Sequence, residues 1–382
     1  MPVLINDTTF AQICVNSEYV IPDIVQDIKG LYPTYQARPD RILQRIKNLR
    51  KKGILPLDSG NFVSEGELLK GTSTLYDKDG EVKIQWVKTD VEKESMLDSF
   101  KTCIENYVQE LPQFESREYD KPYVLDDLMA VYPLGDPHIG MKAYRDEAGA
   151  DWDLKKTQEV FCGIFDRLIK TAPSCPQAVI VNLGDYFHRD NFAGVTERHK
   201  HKLDTDGTYL MMVDTGLKIM IQMITSALEH HQSVRVINTL GNHDDTGAIF
   251  LQAALKHMYA NEPRAIIECT NSMFQYFQHG SAFFGVHHGH TTKPDKLPLV
   301  MATDRPKEWG DSLYRYFLTG HIHHDTRKEY SGCIVESFRT LASKDAYAQN
   351  GGYRAGQDSK ALVIHKEFGE VERHTINIAQ IL

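Results

Sequence analysis

The sequence predicts a layered α/β domain over residues 123–382, with a smaller α+β module over residues 1–90 and a connecting helix and linker over 91–122. Three observations carry this reading. After residue 122, apolar strand-like runs alternate with helical stretches, the pattern of a sheet covered by helices. The stretch ELPQFESREYDKP (110–122) breaks the chain's periodicity with two prolines and mixed charge. Before it, a basic helical segment is followed by two β-rich runs, a composition unlike the rest of the chain.

In the first module, RPDRILQRIKNLRKKGIL (38–55) reads as a helix that starts at Pro39, suited to the first helical position, and stops at Gly53. Ile42, Ile46 and Leu49 fall on one face. From Arg41 to Lys52 there are six basic residues and no acid. Such a run is either a solvated face or a docking face for nucleic acid or a partner. Arg41, Arg45 and Arg50 are the candidate nucleic-acid contacts, holding phosphates rather than reading bases. GTSTLYDKDGEVKIQWVKT (71–89) signals a hairpin around Asp79-Gly80. Helices, a basic helix and a hairpin together resemble a winged helix-turn-helix. VEKESMLDSFKTCIENYVQEL (91–111) reads as one amphipathic connecting helix.

Five apolar runs follow: LMAVYPL (128–134), AVIVNL (178–183), VRVINTL (234–240), AFFGV (282–286) and YRYFLT (314–319). Between the second and third, TYLMMVDTGLKIMIQMITSALEHH (208–231) has helical spacing and the length to cover a sheet face. GCIVESFRTLAS and KALVIHKEFGEVERHTINI predict further strands, with a turn at EFGE. The glycine-rich AQNGGYRAGQDS between them predicts an ordered loop or flap that offers Tyr353 and Arg354.

Composition narrows the function. The 382 residues are 41% hydrophobic and 25% charged, ordinary for a globular protein. No stretch reaches the ~18 to 20 apolar residues of a membrane span, and the amino terminus has no secretion core. A cytoplasmic protein that avoids membranes is the expectation. Six scattered cysteines without a CxxC pair read as reduced thiols. The net charge of −9 argues against a broad basic sheath for nucleic acid, though not against a local basic face.

Each of the five runs ends in ligand-type residues. LGDPHIG brings Asp136 and His138, and LGDYFHRDN brings Asp185 and His188. LGNHDD brings Asn242, His243 and Asp244. VHHGH brings His287, His288 and His290, and TGHIHH brings His321, His323 and His324. Ligands gather outside the carboxyl ends of strands in α/β sheets, so these residues should meet in one cleft. Carboxylate, imidazole and amide oxygen suit two divalent ions, manganese favoured with iron or zinc as alternatives. Glycines before Asp185, Asn242 and His321 are expected to allow tight turns.

The ordered series DxH, GDxxH, GNHD, HGH and GHxH resembles the calcineurin-like metallophosphoesterase superfamily, from about Leu128 to the carboxyl end. GDYFHRDN followed by GNHDD is most similar to the SbcD-type DNA repair nucleases. The resemblance implies a two-sheet αββα sandwich. It implies a first metal on Asp136, His138, Asp185 and His323, with Asp185 bridging to a second held by Asn242, His288 and His321. His287 and His290 stay alternatives to His288. His243 would protonate the leaving oxygen, with Asp244 orienting it or capping the following helix. His188 would help position the phosphate. Two ions ~3.5–4 Å apart would activate a bridging hydroxide.

The expected function is a manganese-dependent nuclease or phosphodiesterase acting on nucleic acid, DNA favoured, whether by exo or endo cleavage. Small cyclic or dinucleotide substrates are the alternative. A nucleic-acid-binding regulator with a structural metal site is the alternative of another class. The chain after GHIH leaves no room for the added capping and ATPase-docking region of SbcD-type nucleases.

Overall fold

A computed structural model describes residues 5–17, 21–33, 35, 38–52, 54–55, 67–76, 82–91, 125–192, 194–195, 202–345, 348–349 and 351–381. The chain divides into two units, Met1–Cys103 and Ile104–Leu382. The expected linker, most of the connecting helix, Gly53, the Asp79-Gly80 turn and Cys103 lie outside the described residues. Among those residues no helix is long and apolar enough to cross a membrane.

Among the described residues the first unit has three helices, α1 (Asp7–Asn16), α2 (Ile21–Leu31) and α3 (Pro39–Lys51). The Asn6 side chain caps α1 by accepting from Thr9 N at 2.8 Å, and Pro39 opens α3 as its fixed φ favours. Ile42, Ile46 and Leu49 are buried with Phe10, Ile13, Ile24 and Ile28 in a small core. Strands β1 (Glu67–Tyr76) and β2 (Val82–Val91) pair antiparallel as a hairpin.

The expected basic face of α3 needs correction. Arg45 donates to Asp7 Oδ1 at 2.9 Å and to the Ile5 carbonyl, with its guanidinium 4.3 Å from the Phe10 ring centre. It ties α3 to α1. Arg50 is half-buried on the same inward side, whereas Arg41 is exposed. The reason is helical period: positions 45 and 50 flank the buried stripe of 42, 46 and 49. The exposed polar face is instead Arg41, Gln44, Lys47, Asn48 and Lys51.

Among the described residues the second unit holds two sheets. One has the order β13-β12-β3-β4-β5-β6 and the other β10-β11-β9-β8-β7. In the first, β3 (Leu128–Leu134), β4 (Gln177–Asn182), β5 (Ser233–Asn238) and β6 (Ala265–Ile267) run parallel. Strand β12 (Asp358–His365) runs antiparallel to both β3 and β13 (Gly369–Asn377). In the second, β8 (Ala282–Val286), β9 (Tyr314–Thr319) and β11 (Cys333–Ser337) are parallel, with β7 (Gln275–His279) and β10 (Thr326–Tyr330) antiparallel at the edges.

Helices α4 (Leu154–Thr171), α5 (Tyr209–His230) and α6 (Asp245–Met258) accompany the parallel strands of the first sheet. Tyr132 of β3 meets Phe165 of α4 at 5.2 Å between ring centres. Every residue of β3 is buried, as a central parallel strand covered on both faces requires. Helices α7 (Leu297–Asp304) and α8 (Pro306–Asp311) cover the second sheet, where Leu297, Met301 and Trp309 pack with Phe283 and Phe317. Between the sheets lie Val131, Val179, Val181, Phe277, Phe284, Leu318 and Leu362, the main core. This is the αββα sandwich. Apolar burial holds the layers together, contributing roughly 1.5–3 kcal/mol per large side chain.

Candidate metal centre

Five loops carry the polar cluster, and each leaves a strand at its carboxyl end: β3, β4 and β5 in one sheet, β8 and β9 in the other. Hydrogen bonds join the loops, both across the sandwich and within the first sheet. His321 N donates to both oxygens of Asp136 at 2.9 Å. His243 N donates to Asp185 Oδ1 at 2.8 Å, and His138 N to the Asp185 carbonyl at 2.9 Å.

The backbone at these positions is unusual. Among the described residues, the non-glycine residues with positive φ are Asp136 (41°), His138 (45°), Asp185 (49°), His321 (70°) and His323 (56°). A side chain in the left-handed region costs on the order of 1–3 kcal/mol. All five were expected as ligands, so the strain sits where donor atoms must be aimed. The glycine expectation is corrected in part. Gly184 is left-handed (φ 99°), but Gly241 and Gly320 are not. They are glycine because a Cβ would lie 2.1 Å from Asp185 Oδ1 and 2.5 Å from Asp136 Oδ2, respectively.

Three groups of side chains place their ligand atoms within 4.8 Å of one another: Asp136, His138 and His323; Asp185, His288 and His321; and His138, His188 and His243. His323 Nε2 lies 3.1 Å from His138 Nε2 and 3.4 Å from Asp136 Oδ1. His288 Nε2 faces Asn242 Oδ1 at 3.1 Å and Asp185 Oδ2 at 3.2 Å. Its other nitrogen, Nδ1, meets the Leu183 carbonyl at 2.8 Å, which fixes the ring.

Of the three histidines in VHHGH, His288 is the one turned to Asp185. His287 uses both nitrogens elsewhere, accepting from Gly289 N at 2.8 Å and facing Thr291 Oγ1 at 2.9 Å. His290 stands 6.1 Å from His321, ring centre to ring centre, and belongs to none of the three groups. His324 is exposed, with Nδ1 against the Ile322 carbonyl. Of the basic run His199, Lys200, His201 and Lys202, only Lys202 is among the described residues.

Electrostatics divide the imidazoles. Burial, with His243 and His323 beside it, pushes the His138 pKa well below its usual value. Burial, with His243, brings His188 down to about 3, and burial with His288 lowers His321. Neutral imidazole is the ligand form. Burial also opposes charge on His288, but the Asp185 carboxylate outweighs it and raises the pKa to about 10.

Asp244 departs from both expected roles. It precedes α6 without a side-chain capping bond, and His243 Nδ1 faces the His188 carbonyl at 2.9 Å instead. Asp244 is fully buried and accepts from Phe187 N at 2.9 Å, bracing the GDYFH loop. Burial and the Asp185 charge hold its pKa well above the carboxylate range. The helix start is capped from a distance by Asp190, which accepts from Thr246 N and Gly247 N at 2.7 Å each. Asp190 was missed; only its residue type signals a cap, and its partner helix begins 55 residues later.

The donor set fits divalent metal. Two buried carboxylates, one amide oxygen and several imidazoles converge, with no thiolate among them. Among the described residues, His188 Nε2 and Asp244 Oδ1 are buried without a hydrogen-bond partner.

A sandwich with such a cluster at its strand ends defines a metal-dependent phosphoester hydrolase. The family model of the calcineurin-like phosphoesterases matches residues 129–343, and the chain belongs to that family. No curated protein matches the sequence. Among solved structures, a phosphodiesterase described as archaeal is 16% identical with a TM-score of 0.30, covering 65% of this chain and 99% of its own. A dimetal phosphatase from Danio rerio is 9% identical with a TM-score of 0.35, covering 66% and 100%. A conserved predicted phosphoesterase from Streptococcus pneumoniae is 9% identical with a TM-score of 0.28, covering 65% and 98%.

Proposed function

We propose that the protein is a dinuclear-metal phosphodiesterase whose substrate is nucleic acid, DNA favoured, with manganese as the working metal. Asp136, His138, Asp185 and His323 would hold one ion. Asp185, Asn242, His288 and His321 would hold the other. When bound, such ions lower the pKa of a water and neutralise charge on the phosphoryl oxygens.

The observation that carries the diesterase reading is the His188–His243 pair. The two rings stack at 5.6 Å beside His138. His243 Nδ1 donates to the His188 carbonyl, so in the doubly protonated ring Nε2–H is the proton that would pass to the departing oxygen. An alkoxide leaving group needs that proton far more than a phenolate does. The buried, unpartnered Nε2 of His188 offers a hydrogen bond to a phosphoryl oxygen. The exposed face of α3, with Arg41, Lys47 and Lys51 beside Gln44 and Asn48, supports a polymeric anion as substrate. The net charge of −9 favours the second reading, a small cyclic or dinucleotide diester.

The test is a substrate profile. The manganese-loaded chain is offered bis-p-nitrophenyl phosphate, p-nitrophenyl phosphate, linear and circular DNA, RNA and nucleotide diesters. Cleavage of polymeric DNA upholds the proposal. Cleavage of small diesters alone replaces it with the second reading, and DNA binding without turnover under any metal indicates a regulator.

A further inference from the structure

Two cations and two carboxylates lie directly behind the loop of His321 and His323. Lys360 and Asp358 stand on β12, in the six-stranded sheet. Asp325 ends the loop after β9, and Arg339 follows β11, both in the other sheet's connections. Lys360 Nζ is 2.8 Å from each oxygen of Asp325 and 2.9 Å from Asp358 Oδ1. Arg339 Nη1 donates to Asp358 Oδ2, and its Nε lies 3.9 Å from Asp325. The Lys360 and Asp358 side chains are 7% and 5% exposed. The Lys360–Asp325 and Arg339–Asp358 pairs each tie one sheet to the other.

Their place in the fold matters. Strand β12 is antiparallel to β3, so its first residues lie beside the end of β3 that leads to Asp136. Thr340, next to Arg339, bridges Gly135 and donates from Oγ1 to the Asp136 carbonyl at 2.7 Å. Ser337 Oγ donates to the His324 carbonyl at 2.7 Å. Residues 337–340 therefore touch the Asp136 loop on one side and the His323 loop on the other.

We infer that Lys360, Asp325, Asp358 and Arg339 are positioning residues that set the register between the two sheets' metal ligands. Asp136 and His138 come from one sheet, His321 and His323 from the other. The apolar layer between the sheets resists separation, but burial is non-directional and does not by itself fix how the layers slide. Charged hydrogen bonds have preferred geometry and supply that direction. The four charges cancel, and each carboxylate already faces a cation, so the cluster is not itself a metal site. The inference rests on the proposed metal sites.

The test uses the full-length chain stripped with chelator and titrated with manganese chloride by calorimetry, with circular dichroism and melting of the metal-free protein alongside. Lys360→Met should weaken manganese binding about 10-fold or more, the scale of lost outer partners at metal sites. Asp325→Ala, which keeps the Lys360–Asp358 pair, should weaken it less and carries the test if Lys360→Met does not fold. Arg264→Met is the control. It breaks a pair with the buried Glu262 at the opposite end of the sheet, and should lower the melting temperature without changing manganese affinity. Wild-type affinity in Lys360→Met and Asp325→Ala overturns the inference, as does equal weakening in Arg264→Met. A wild-type chain that takes up no manganese defeats the metal reading itself, a separate result.

Discussion

His321 donates its backbone N–H to both carboxylate oxygens of Asp136, at 2.9 Å each. A proposed ligand from one sheet thereby holds the proposed ligand loop of the other. Asp136→Ala should therefore cost both ions, since it removes a donor and frees the turn of His321. Calorimetry should find no manganese uptake at concentrations that saturate wild type, and turnover should fall more than ~100-fold, beyond the cost of an outer partner. Retention of one tight ion would contradict this.

His243 has a chemical signature as well. If its Nε2 protonates the leaving oxygen, His243→Gln should slow alkoxide-leaving diesters by about 100- to 10,000-fold. A p-nitrophenyl diester, whose leaving group departs without a proton, should slow much less. Equal losses on both substrates would remove the acid role.

Asp244 accepts from the Phe187 amide, whereas His243 Nδ1 is hydrogen-bonded to the His188 carbonyl. The raised pKa of Asp244 means that a neutral side chain is tolerated there. Asp244→Asn should keep turnover within a few-fold of wild type. Asp244→Ala, which orphans a buried N–H, should lose about 1–3 kcal/mol in urea unfolding. A large turnover loss in Asp244→Asn would restore an orienting role.

Acid sensitivity should come from another part of the sandwich. Burial opposes the Glu370 charge, but Arg373 and Arg327 outweigh it and hold its pKa below the ordinary 4.5. A lowered carboxylate pKa stabilises the fold fully above the unfolded value, and that contribution is lost as pH falls through the folded value. Urea midpoints should therefore fall as pH drops below about 4.5, and Glu370→Gln should flatten that part of the curve. An unchanged slope in the variant would exclude Glu370 as the source.

On α3, Lys47→Glu with Lys51→Glu should weaken binding of duplex DNA by about 10-fold or more and reduce its salt dependence. Hydrolysis of small diesters should not change. Arg45→Glu should instead destabilise the first unit, because it breaks the contacts with Asp7 and Phe10. If Arg45→Glu alone impaired DNA binding in a fully folded chain, the exposed-face assignment would be wrong.

The sheet strands that lead to the site were legible because buried parallel strands are continuous apolar runs. LMAVYPL, AFFGV and YRYFLT coincide with β3, β8 and β9 residue for residue. Edge strands β7 and β10 were not, since QYFQH and TRKEY lack that pattern. Clustering of Asp136, His138, Asp185, His288, His321 and His323 was legible from residue type and strand-end position. The function of neighbours was not. Whether Asp244 faces His243 or Phe187, and whether Arg45 faces solvent or Asp7, depends on side-chain direction, which spacing leaves open. Gly241 and Gly320 read as turn residues because a close approach to another loop, Asp185's for Gly241 and Asp136's for Gly320, has no local signal.

Each proposed ion draws donors from both sheets, and His288, His321 and His323 all lie in the last third of the chain. A nascent chain still lacking that part would carry Asp136, His138, Asp185 and Asn242 yet could complete neither site. Metal capture at the proposed sites would therefore have to wait until the second layer has docked.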